Sequence, residues 1–63
     1  MRIQPGMLFE EEGVHYEVVD TQVDYEDQRV QCKIVFMLDA QQIGNLIIFE
    51  VGRVRVLVNA YLN

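Results

Sequence analysis

Sixty-three residues with one cysteine, one histidine and a formal charge of −5 point to a single small domain, 1–63, with no internal disulfide and no four-ligand zinc site. With 51% hydrophobic residues, the chain has more apolar side chains than so small an interior can hold, and ten acids against five bases oppose direct binding of a nucleic-acid backbone. The lone thiol suits a reducing, cytoplasmic setting, and a core this small is expected to lean on a protein partner or on a second copy of the chain as a homo-oligomer.

Hydrophobicity alternates with a period of two along most of the chain, which predicts strands rather than helices. Residues 7–10 read as a short first strand behind the turn-forming pair Pro5-Gly6. Glu12-Gly13 then reverses the chain, with glycine supplying a positive φ. Residues 14–23 form a longer second strand. Val14, Tyr16 and Val18 share one face, Val19 breaks the alternation, and Thr21 and Val23 follow the new phase. Such a shift predicts a bulge near Val18-Val19, the bend a small barrel needs to run one strand through two sheets.

Asp24-Tyr25-Glu26-Asp27 is a polar loop. Residues 28–38 read as the third strand, with Val30, Cys32, Ile34, Phe36 and Leu38 inward. Arg29, Gln31, Lys33, Val35 and Met37 face outward. Within 39–45 a single helical turn capped by Asp39 precedes a turn at Gly44-Asn45. The fourth strand, 46–50, is apolar on both faces. Val51-Gly52 reads as a tight turn into a fifth strand, 53–58, with Val54, Val56 and Val58 inward and Leu57 outward. Tyr61 and Leu62, in the tail, are placed to plug one end or to cover an outer apolar face.

The expected fold class is therefore all-β, a small five-stranded SH3-like barrel. The longest strictly apolar run, Ile34-Val35-Phe36-Met37-Leu38, is far short of the roughly 20 residues of a membrane-spanning helix. The first residues lack the apolar stretch of a signal peptide.

Three short patterns, Ile3-x-Pro5-Gly6-Met7, Gly13-x-x-Tyr16-x-Val18-Val19 and Val30-x-x-Lys33, resemble the N-terminal domain of elongation factor P and its relatives, a KOW-type SH3-like barrel. The resemblance implies the barrel fold and a translation-associated, RNA-binding role. The family's Gly-rich loop with a basic residue falls here on Asp24-Tyr25-Glu26-Asp27, which has neither glycine nor lysine.

No catalytic constellation emerges, and a non-enzymatic chain is expected. His15 points away from its neighbours Val14 and Tyr16, the chain has no serine, and its one threonine, Thr21, is distant along the strand. Cys32 falls on the inward face, where thiols are inert. Asp24 to Arg29 opens like a calcium loop, but the sixth position is Arg29 instead of glycine and the twelfth is Val35 instead of glutamate. No metal site and no cofactor is implied.

Two surfaces stand out instead. The acids Glu10, Glu11, Glu12, Glu17, Asp20, Asp24, Glu26 and Asp27, with Tyr16 and Tyr25 among them, occupy a stretch without lysine or arginine. They form either a solubilising face or a negative patch that meets a basic groove on a partner. Val35, Met37, Leu46, Ile48 and Leu57 gather into an outer apolar patch, covered either by the C-terminal residues or by another chain. Together these predict a protein-interaction module. Size and charge suit a phage or mobile-element inhibitor that blocks a host nucleic-acid-handling protein. A structural or assembly subunit and a translation-associated RNA-binding barrel are the other readings.

Overall fold

A computed structural model describes residues 2–24 and 28–63, with only the backbone described for 22–24. Four antiparallel strands form one open sheet in the order β1-β2-β3-β4: β1 (Leu8–Glu11), β2 (Val14–Asp24), β3 (Arg29–Phe36) and β4 (Leu46–Glu50). A 12-residue helix, α1 (Val51–Leu62), follows β4 directly and packs mainly along β1. The fold is thus a β-rich meander with one helix, and not a closed five-stranded barrel.

The first half follows its sequence signals. Pro5-Gly6 forms the turn, with Gly6 at φ 94° and the Met7 amide donating to the Gln4 carbonyl at 3.3 Å. Glu12 and Gly13 both take positive φ, 53° and 83°, in a two-residue hairpin loop between Glu11 and its partner Val14. Two left-handed residues match the twist of the flanking strands, and glycine in the second position relieves the steric penalty. The Glu10 carboxylate accepts from the Gly13 amide at 3.1 Å and so caps the loop.

Along β2 and β3 the register slips three times: between His15 and Tyr16, between Val18 and Asp20, and between Asp20 and Asp24. Val18 pairs with Cys32 but Asp20 with Gln31, so Val19 is the extra residue of a bulge, at the place where the alternation breaks. His15 pairs with Phe36 but Tyr16 with Ile34, so Val35 is a second extra residue, this time on β3. That second bulge corrects the expected phase of the third strand. Beyond Val35 the inward set ends: Phe36 is 53% exposed, Leu38 is 97% exposed, and Met37 turns to pack against the core. Phase reversal is the physical result of one unpaired residue in a period of two.

A single turn of 3-10 helix at Ala40–Gln42 has Asp39 as its N-cap, whose carboxylate accepts from the Gln41 amide at 3.2 Å. In β4, Ile47 and Phe49 face the core while Leu46 and Ile48 face out, as their pairing with Cys32, Val30, Lys33 and Gln31 requires.

The expected fifth strand is the largest correction. Residues 53–58 are helical, and Val51-Gly52 is the first turn of α1 rather than a reversal. Arg53-Val54-Arg55-Val56-Leu57-Val58 reads equally as alternation and as an apolar stripe at 54, 57, 58 and 61. An open four-stranded sheet leaves its inner face bare, and an amphipathic helix covers it without closing the sheet on itself. Burial on that face outweighs the strand preference of four valines. Val54 and Val58, one turn apart, are buried, whereas Val56 lies on the far side at 68% exposure.

The core consists of Ile3, Phe9, Tyr16, Val18, Val30, Cys32, Ile34, Val54 and Val58. Phe9 stacks on Tyr16 with ring centroids 5.1 Å apart, and Phe49 meets both rings edge-on at 5.3 and 4.9 Å. No helix among the described residues is long and apolar enough to cross a membrane.

Candidate functional site

The acids of β1 and β2 divide by strand parity. Glu10 and Glu17 project from the outer face, where Glu10 stands opposite His15 and Glu17 stands between Leu8 and Lys33. Asp20, one residue beyond the Val19 bulge, returns to that face opposite Gln31. Glu12 is exposed at the hairpin tip. Glu11 shares the parity of buried Phe9, leans towards α1 and is bound there. The Arg53 Nε donates to its Oε2 at 2.9 Å and the Arg53 Nη2 donates to the same oxygen. Hydrogen bonding and charge from Glu11 raise the Arg53 pKa above its ordinary value.

The structure thus brings Glu10, Glu17 and Asp20 to one face, with Glu12 at its end, and diverts Glu11 into holding the helix. Asp24 ends β2 opposite Arg29, while Tyr25, Glu26 and Asp27 lie outside the described residues. Tyr16 is a core residue, 8% exposed in the aromatic cluster, and not a contact anchor. Burial first, and then the charges of Glu11 and Glu12, raise its pKa.

The outer apolar set separates into two groups. Leu46 and Ile48 are exposed on β4, at 54% and 44%. Met37 and Leu57 instead pack against the core, and Val35 is half-buried at its bulge. Met37 turned inward because of that bulge, and Leu57 because a helix places residue 57 beside 54 and 58. Sequence reasoning missed the exposed Phe36, Leu38, Ile43 and Val56. No signal marked the Val35 bulge, since every residue from 34 to 38 is apolar.

Tyr61 and Leu62 neither plug a barrel nor cover Leu46 and Ile48. They line a shallow apolar cavity of about 300 Å³ with Gly6, Met7, Leu8 and Val58, on the β1 side. His15 lies between two aromatic rings, edge-on to Phe36 at 5.6 Å and to Tyr61 at 6.5 Å.

Cys32 is fully buried, and desolvation pushes its thiol up to about 11 from the ordinary 9.0. The folded chain holds the thiol proton more tightly than the unfolded chain. That contribution to stability is complete below pH 9.0 and is lost as the pH rises towards 11. Urea midpoints measured across this window are expected to fall with pH, and the fall should be smaller in Cys32→Val. An equal pH slope in both proteins would refute the assignment.

Comparison with family models, with curated proteins and with solved structures finds no match for the chain.

Proposed function

We propose that the chain is a non-enzymatic interaction module whose acidic outer face engages a basic surface on another protein. The observation that carries this reading is the segregation of charge across the sheet. Residues 8–24, which build β1, its hairpin and β2, hold Glu10, Glu11, Glu12, Glu17, Asp20 and Asp24 and no lysine or arginine. The cations of the sheet, Arg29 and Lys33, lie on β3.

A concentrated field of one sign steers association with a partner of the opposite sign. Carboxylates held on a strand face resemble a row of phosphates in charge. The fitting target is therefore the basic groove of a nucleic-acid-handling protein, which the chain would block. Lack of catalysis fits the surroundings of the two groups best suited to it. The Cys32 thiol is buried and protonated, and His15 is packed against Phe36 and Tyr61.

The test is affinity capture from nuclease-treated cell extract, with the unaltered chain beside Glu12→Lys/Asp20→Lys. The unaltered chain should retain a basic protein in a salt-sensitive manner, and the variant should lose roughly tenfold or more of that affinity. Equal capture by both chains, or binding of the purified chain to RNA or DNA, would refute the reading.

A further inference from the structure

The free edge of β4 is a pairing site of a kind the acidic face does not explain. β4 is the last strand of the sheet, and among the described residues no strand pairs with its outer side. Two hydrogen bonds fix which of its backbone groups point outward. The Ile34 amide donates to the Asn45 carbonyl at 2.9 Å, and the Val51 amide donates to the Gln28 carbonyl at 2.8 Å. Antiparallel ladders alternate, so the odd-numbered residues 45 to 51 direct their polar backbone groups to β3. Leu46 and Ile48 direct theirs to the free edge, as does the Glu50 amide, while the Glu50 carbonyl belongs to the N-cap of α1.

Natural edge strands are usually blunted by lysine, proline, a bulge or a covering element. β4 has none of the first three: it is Leu-Ile-Ile-Phe-Glu, paired without register slip from Leu46 to Glu50. The chain's own helix covers the opposite side of the sheet, along β1. Tyr61 and Leu62 sit there as well, beside Gly6 to Leu8.

We propose that two copies of the chain pair β4 to β4, antiparallel about a two-fold axis at Ile48, into a continuous eight-stranded sheet. This inference does not depend on the acidic-face reading. The edge is self-complementary in this register. Ile48 meets Ile48 of the second copy, each N–H donating to the other's carbonyl. On the core face Ile47 meets Phe49 of the second copy, and on the outer face Leu46 meets Glu50 of the second copy. The pairing extends both cores across the junction and sets the exposed Leu46 and Ile48 side chains beside cross-strand neighbours on the outer face.

Charge opposes a second copy least in this orientation. Two chains of −5 repel, yet β3 and β4 carry Arg29 and Lys33 against the single acid Glu50. Joining the β4 edges places the acidic β1–β2 halves at the two ends of the assembly, where repulsion is weakest and their outer faces stay accessible.

Light scattering and amide exchange on the full chain decide the matter. The expected mass is twice the 7.4 kDa of one chain. The Ile48 amide should exchange slowly at high protein concentration and quickly on dilution. Ile48→Pro removes an N–H that faces the free edge and has no strand partner among the described residues, so it should give a folded monomer. Ile48→Lys, which places a charge at the axis and leaves the backbone intact, should do the same. A monomer up to about 1 mM with an unprotected Ile48 amide would overturn the proposal. So would a dimer that survives both substitutions. A monomer whose Ile48 amide gains protection only when a different protein is added would give the edge to a foreign strand, and would overturn it equally.

Discussion

Val54→Asp unfolds the protein, and Val56→Asp, two residues along the same segment, leaves it folded: this is the expected result of far-UV circular dichroism and urea titration on the pair. Val54 is 0% exposed and Val56 is 68% exposed. In a helix each residue turns about 100°, so position 56 lies about 200° from 54 while 58 returns to the same side. A carboxylate at 54 enters the core with no partner, which costs several kcal/mol or forces the group to stay protonated. A domain of 63 residues has a total stability of only about 3 to 9 kcal/mol. At 56 the new side chain stays in water, and the change costs about 0.5 kcal/mol of helix propensity or less. A strand over 53–58 would treat the two positions alike, because residues two apart share a face. Equal damage from both substitutions would therefore remove the helix from this account.

Phe9→Ala is expected to have a comparable effect by a different route. Phe9 is fully buried between Tyr16 and Phe49, with ring centroids 5.1 and 5.3 Å away. Truncation removes the ring's transfer free energy and leaves a cavity that its two aromatic neighbours only partly fill, a loss of about 3–5 kcal/mol. The neighbouring Leu8→Ala is the control. Leu8 faces outward at 43% exposure, so its truncation should cost less than about 1 kcal/mol. Thermal melts of the two variants should differ widely. Similar melting temperatures would mean that the aromatic cluster does not hold β1 to the sheet.

These two effects bear on each other through α1. The helix lies along β1, and the Arg53–Glu11 ion pair joins them at one end while Tyr61 and Leu62 border the shallow cavity beside Met7 and Leu8 at the other. Loss of the Phe9 ring loosens the strand against which Val54 and Val58 pack. The substitutions are therefore expected to be coupled rather than additive.

Local signals were legible wherever one residue type has one conformational use. Pro5-Gly6, Glu12-Gly13, the Asp39 cap and the Gly44 turn all sit where their chemistry places them. The Val19 bulge was legible too, because a valine after Val18 interrupts an otherwise regular alternation of apolar and polar residues. The Val35 bulge was not, because an unbroken apolar run offers no contrast between faces. The acids were legible as a group, yet their division was not. Glu11 belongs to the helix contact only because α1 brings Arg53 alongside it.

From residue order alone come the first four strands, most of their turns and part of the core: Val30 and Cys32 alternate with Arg29, Gln31 and Lys33, which water must keep, and Ile34 continues their face. Residues 51–62 are different, since their pattern satisfies both periods and their valines favour a strand. Their conformation was decided by what they had to cover. Four strands curl too little to bury their own inner face, and a helix placed along β1 buries Val54 and Val58 there at once. The same choice leaves β4 as an open edge, because the segment that would have paired with it lies on the other side of the sheet.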